Sequence, residues 1–468
     1  IHFVDGKRGD HDLDVNGSIE TFGGPAVLVD LIFPRVESTP GQFSGFAVSN
    51  FSAEPATLTF EARNENGALI PLGSNPSVRE LEPDNQLARL ASELFEQQPG
   101  SSLSAWVKLK TDNPRIGSFF QFGGPGFLDG AVAATQPGSE LIFTRVFQGA
   151  DVLRGQPAET ILNLVNLLSE VQDVELSWID QHGAVRVTAS HSISASGFLR
   201  TSLAELFGDE EMRGGYLRAS APGGILAGFV EIRSGSTSVG IPGRSPEGSY
   251  LLYSAQLAST EGLFTSLKLI NLGSSEASAI LTAIGESGQP LSAPVVVQVP
   301  SGATIEKDAR DLFSETDIGG TLVGSLIIQV DSRFVLGDVP FGESERLRFA
   351  ASLPLQSEPF DDGVFNQVAN LSNFFTGLAI FNLQSVETSV RIEVFSANGT
   401  RVGATEFTLG AGQRISRLVS EFVPASAGQA GGYVRLWAEQ PVIAQLLFAQ
   451  TDKSGIVLFS AVPPTALR

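Results

Sequence analysis

The sequence predicts an all-β protein: four tandem antiparallel β-sandwich repeats with a short N-terminal extended segment. Three observations carry this reading. Apolar residues alternate with others in many short stretches, as in half-buried strands. Pro or Gly marks several of the bends between those stretches. Landmark residues then recur along the 468-residue chain at intervals of 116, 105 and 111 residues. With 42% apolar side chains, 50 Gly and 25 Pro, the chain has enough material for several cores and is too apolar for a disordered polymer.

Each repeat opens with a strand: LIFPRV from Leu31, LIFTRV from Leu141, LLYSAQL from Leu251 and VFNQVA from Val364. A second strand ends in the landmark Asn, at Asn50, Asn166, Asn271 and Asn382, and 17 residues later stands a Gly, at Gly67, Gly183, Gly288 and Gly399. The Asn-Gly pairs at 66–67 and 398–399 suit a type I′ hairpin turn, in which both central positions need positive φ. A short amphipathic stretch ending in Phe95, Phe207, Phe313 or Phe422 allows one or two helical turns. Paired strands from Ala105, Gly215, Ser325 and Gly432 complete the repeats. Turn-rich linkers near Pro137, Gly243 and Pro359 divide the chain into an extension, 1–27, and sandwiches at 28–137, 138–247, 248–359 and 360–468. A propeller would need double blades from such units and lacks its signature dipeptides, so beads of sandwich are expected rather than a closed ring.

The succession of an LIFPRV-like opening, the strand Thr376 to Asn382, an LxxELF turn and the hairpin Gly432 to Ala444 resembles a tandem β module of large, mostly uncharacterised secreted bacterial proteins. The resemblance covers residues 28–468 and implies an extracellular, modular, noncatalytic β protein. Its motifs report packing and turns, so it assigns no functional residue. Repeat two departs from the pattern by a longer opening, Gln148 to Glu159. Repeat three lacks the aromatic supplied elsewhere by Trp106, Tyr216 and Tyr433, and Leu326 aligns there instead.

A net charge of −21 repels a phosphate backbone, which argues against a nucleic-acid partner. The 6 Lys and 24 Arg are scattered, leaving no polybasic membrane-surface segment, and no apolar run is long enough to insert as a helix. With no Cys and a single Met, Met212, disulfides, thiolate catalysis and Cys-based zinc sites are excluded. Such sulfur-poor composition suits an exposed extracellular or cell-surface chain. The chain starts at Ile1 with no signal-like apolar region, as expected after removal of a targeting segment.

No catalytic constellation appears, and the chain is read as not an enzyme. The histidines His2, His11, His182 and His191 lack paired-ligand spacing, and His182 sits in a turn of a kind that the other repeats make without His. GQFSG at Gly41 has its Ser misplaced for a nucleophile elbow. The carboxylate pair Asp361 and Asp362 reads as linker charge, and Trp106 and Trp437 as core packing rather than a sugar platform.

The extension carries the functional expectation. FGGP at Phe22 to Pro25 repeats at Phe122 to Pro125, so residues 18–27 look like the tail of a repeat without its body. A lone strand must find an edge for its backbone groups. Ile1, His2, Phe3, Val4, Ile19, Thr21 and Phe22 are therefore candidates for strand addition to a neighbouring copy, giving a head-to-tail filament or surface layer. An adhesin or ligand-binding module, contacting a surface protein or glycan, is the alternative. Asp10, Asp12, Asp14 and Asn16 before Gly17 partly match a calcium loop, though position twelve is Gly23 where such loops need Glu. No other cofactor is expected.

Overall fold

A computed structural model describes residues 29–134, 137–235, 237–313, 321–453 and 455–467. The extension, with its donor-strand and calcium candidates, lies outside the described residues. The described chain is built from antiparallel sheets, none closed on itself, and four single-turn helices.

The first stretch sets the pattern. Strands β1 (Val29–Ser38), β2 (Phe43–Asn50), β3 (Ala56–Arg63), β4 (Ser77–Leu81) and β5 (Gln86–Leu90) lead into helix α1 (Ala91–Leu94). Strands β6 (Leu103–Thr111), β7 (Ile116–Gly124) and β8 (Phe127–Ala131) follow. One sheet has the order β1-β6-β3-β4 and the other β5-β2-β7-β8. In β3, Ala56, Leu58 and Phe60 are fully buried while Thr57 and Thr59 between them are not, because successive side chains point to opposite faces of a strand. The two sheets share one core, where Phe33 of β1 meets Phe46 of β2 and Phe120 of β7 edge-on. Buried Leu94 and Phe95 bring α1 into the same core.

The same two orders recur over residues 251–354. Over 140–242 an added strand pair, Phe147–Leu153 with Met212–Arg213, extends one sheet to six strands. Over 360–466 the 20-residue strand Tyr433–Asp452 runs through both layers and links them into one eight-stranded sheet. Helices α2 (Leu203–Phe207), α3 (Ala309–Leu312) and α4 (Val419–Phe422) fall where the sequence places them.

The landmark Asn is a bracket between chain segments. Asn382 Nδ2 donates to the carbonyls of Val386 (2.8 Å) and Leu409 (3.1 Å), while its Oδ1 accepts the Gln384 N–H (2.9 Å). Asn50, Asn166 and Asn271 make the same bonds, and all four are completely buried. An amide offers two donors and an acceptor on one short stem, which explains the residue type.

The landmark Gly closes a hairpin, but not through a type I′ turn. Gly67, Gly183, Gly288 and Gly399 have φ between +77° and +83°, while Asn66 and Asn398 do not have positive φ. In each case the Gly N–H bonds the carbonyl three residues back, and the N–H of that residue bonds the carbonyl after the Gly. This is a type I turn followed by a left-handed bulge residue, which requires Gly at one position only.

The expectation of beads is overturned, because the last stretch packs on the first. Tyr433 Oη donates to the Asp84 carbonyl (2.8 Å), and Gln86 exchanges two hydrogen bonds with Gly432 (3.1 and 2.9 Å). Strand β8 and its counterparts Thr237–Pro242, Ala350–Pro354 and Gly455–Val462 converge. The Gly240 N–H (2.7 Å) and Ser460 Oγ (3.0 Å) both donate to Asp129, Thr237 Oγ1 donates to the Leu347 carbonyl, and Phe459 packs on Phe341 and Phe349. The space left there by the described residues is about 10 Å³, no more than one water. Burial drives the closure: each seam between stretches removes large side chains from water at about 25 cal/mol per Å².

Candidate functional site

Every seam uses the same three parts. The first is the landmark Gly, which lies against a turn of the next stretch. A Cβ on Gly67 would stand 1.9 Å from the Ala195 carbonyl oxygen, on Gly183 2.8 Å from the Gly302 carbonyl carbon, on Gly288 2.9 Å from the Ala411 oxygen, and on Gly399 2.4 Å from Asn85 Oδ1. The recurring Gly thus marks close approach between stretches as well as positive φ.

The second part is a large side chain capping the same turn. Trp106 Nε1 donates to the Ser196 carbonyl (2.9 Å), Tyr216 Oη to Gly302 (3.1 Å) and Tyr433 Oη to Asp84 (2.8 Å). In the third stretch the sequence alignment is off by one. Ser325 pairs with Ile284 as Trp106 pairs with Arg63 and Tyr433 with Phe395, whereas Leu326 turns into its own core. A slip of one residue exchanges the faces of a strand. Tyr253, on the adjacent opening strand, fills this seam with Phe381 and Ile443.

The third part is a polar residue two positions beyond the paired section of the opening strand: Arg35, Arg145, Gln256 and Gln367. Arg35 is fully buried, with its Nε 3.2 Å from Glu231 and its guanidinium 4.4 Å from the Phe122 ring centre. Gln256 accepts from Arg414 (2.8 Å), and its N–H donates to Gln445 (3.0 Å). Gln367 lines apolar grooves beside Phe43 and Phe119.

The seam between the second and third stretches holds a cavity of about 270 Å³ lined by charged groups, where the grooves beside Gln367, of about 220 and 390 Å³, are mainly apolar. Arg145 Nη2 bonds Glu306, and its Nη1 stands 3.7 Å from Asp338 without a hydrogen bond. Lys268, completely buried, donates to the Gly215 carbonyl. Burial lowers the Lys268 ammonium to about 8 despite nearby Glu306. Burial acts to raise Glu306, yet Arg145 and Lys268 outweigh it and hold the carboxyl below its usual range. Arg154 enters from the added strand pair at φ +49°, a left-handed conformation rarely taken by a side chain of this kind. It bonds both Asp308 oxygens (3.0 and 3.1 Å) and stacks 4.0 Å above Phe264. A buried charge cluster beside an apolar wall, reached from solvent, can orient a small ligand by its charged end.

None of the described residues weighed in the sequence for chemistry or binding lines this cavity. Ile1, His2, Phe3, Val4, Asp10, Asp12, Asp14, Asn16, Ile19, Thr21 and Phe22 fall outside the described residues. His182 is an exposed turn residue, and His191 lies opposite Val174 near the far end of that hairpin. Asp362 forms a bidentate pair with Arg435 (3.0 and 2.7 Å), while Asp361 is exposed. Trp106 is buried, but Trp437 is 42% exposed, which corrects its assignment to the core. Asn50 and Asn370 each open an N-x-S sequence of the kind that can be glycosylated, but both are buried and cannot accept a glycan as folded. Among the described residues no group of three or more metal-ligating side chains comes together.

Sequence reasoning missed Arg145, Lys268, Arg154 and Glu306. The one available signal was the longer opening of the second repeat, which supplies Arg154 and the cavity's added wall. No protein-family model matches the chain, and no curated protein matches it either.

Proposed function

We propose that the chain is a noncatalytic extracellular structural subunit: four copies of one two-sheet unit, closed into a ring, that joins further copies of itself by strand addition. The observation that supports this is a pair of long open edges. Val185–Ile193 pairs only with Gln172–Ile179, and Arg401–Leu409 only with Thr388–Phe395, among the described residues. Each edge is nine residues long and carries neither Lys nor Pro, the residues that commonly block edge pairing. Ile1 to Val4 and Ser18 to Phe22 of a neighbouring copy would supply the added strand, with backbone bonds fixing register and alternate side chains giving specificity. The near absence of sulfur accords with exposure outside the cell.

The test is negative-stain microscopy with light scattering on the purified chain and on a deletion of residues 1–22. Regular polymers from the full chain and only single particles from the deletion are expected. Unaltered polymers after deletion, or a full chain that stays monomeric, would refute the proposal. A second reading, a ligand-binding module without catalysis, is favoured by the cavity between the second and third stretches.

A further inference from the structure

We propose that the cavity between the second and third stretches is a binding site for a small organic anion: a carboxylate carried on a compact apolar body. Three guanidinium groups, of Arg145, Arg154 and Arg213, line it. Each already has a carboxylate partner, in Glu306, Asp308 and Glu211, but the buried Nη1 of Arg145 makes no hydrogen bond. An unmet buried donor favours an acceptor that arrives from solvent. The remaining wall is apolar, with Phe147, Val152, Phe264 and Leu347 prominent.

The guanidiniums retain capacity for a ligand. Arg154 uses Nη1 and Nη2 on Asp308, and Arg213 uses its two on the Asp151 carbonyl and Glu211. Each guanidinium carries about five N–H donors, so both keep donors uncommitted by these bonds. Their forked geometry matches a carboxylate better than a lysine ammonium does.

The cavity exists because this stretch breaks the pattern of the others. Phe147–Leu153 and Met212–Arg213 have no counterpart in the first or third stretch, and they contribute Phe147, Val152, Arg154's turn and Arg213. The Arg154 conformation is the kind of local strain that persists where surroundings or function hold it. The volume of about 270 Å³ exceeds the roughly 150 Å³ that holds a benzene ring, which leaves room for benzoate with its carboxylate.

Calorimetric titration of the full chain with sodium benzoate tests the inference, with benzyl alcohol as the uncharged control. Saturable benzoate binding is expected, weakened roughly tenfold or more by R154Q and further by R154Q/R213Q, whose folding is checked by circular dichroism. R154K, which keeps charge but loses the fork, should fall between. No saturable benzoate binding to the folded chain overturns the proposal. So does equal affinity for benzyl alcohol, or unchanged binding in the folded double variant. The result does not depend on polymer formation, because the cavity lies within one copy.

Discussion

The seam between the second and third stretches and the seam between the last and the first share one plan and opposite chemistry. Arg145, Lys268, Glu306 and Asp338 at the former have Gln367, Ala47, Ala88 and Phe119 as their positional counterparts at the latter. The charged seam sets ionised groups that are costly to bury around its cavity, whereas the grooves of the closing seam beside Gln367 are mainly apolar. The closing seam is packed by rings, with Tyr433 stacked on Phe395 (4.9 Å) and edge-on to Phe51 (5.1 Å). The comparison teaches that the backbone plan alone suffices to align neighbouring stretches. The side chains at each seam are then free to differ, and a charged cluster in one of them is not needed to hold the ring together.

Arg145→Met separates these roles with the largest effect. It takes from buried Asp338 the guanidinium beside it and leaves Glu306 with Lys268 alone, and a loss of about 3 kcal/mol is expected in urea unfolding. Gln367→Met at the counterpart position should cost less than about 1 kcal/mol. Equal losses would break the comparison.

The landmark glycines sharpen it next. In Gly183→Ala the new Cβ meets backbone of the next stretch, whereas in Gly399→Ala it meets the Asn85 side-chain amide, which can turn away. Both positions have positive φ, so both variants are strained. Thermal unfolding should show a loss of about 2–4 kcal/mol for the first and about 1–2 for the second.

Alkaline pH gives an effect no larger than that of Gly399→Ala, specific to the charged seam. The unfolded chain keeps Lys268 charged up to the ordinary lysine value of 10.5, while the folded chain releases the proton from about 8. Between these values the unfolded state binds more protons, so stability should rise with pH, on the order of 1–2 kcal/mol between pH 8 and 9.5. Chemical unfolding at pH 8 and 9.5 should show the rise in the native chain and lose it in Lys268→Met.

The sequence made the fold class legible because alternation, turn residues and the Asn and Gly landmarks are local signals. Asn382 reports its own strand end, and Leu418 to Phe422 its own helical turn. What those landmarks touch was not legible. A Gly 17 residues after an Asn looks like a hairpin residue whether its outer face meets water or Ala195. His182 and Ser287, standing where Asn66 and Asn398 do, were the available hint that the turn requires only Gly. The alignment of Tyr433 with Trp106 was legible and holds, whereas Trp437, four positions later, reads as core by its strand and proves exposed because its face of the strand looks outward. The cavity was illegible because Arg145 and Glu306 lie 161 residues apart, and nothing short of the closed arrangement brings them together.

The bond from Tyr433 to Asp84 spans 349 residues. At a synthesis rate of roughly 5–20 residues per second, the first stretch waits on the order of 20–70 s for the strand that covers it. Throughout that interval Phe51 and the Asp84 turn lack the cover that Tyr433 supplies. Closure is therefore the contact that waits for the longest segment of chain, while the pairings inside each stretch need only their own hundred or so residues.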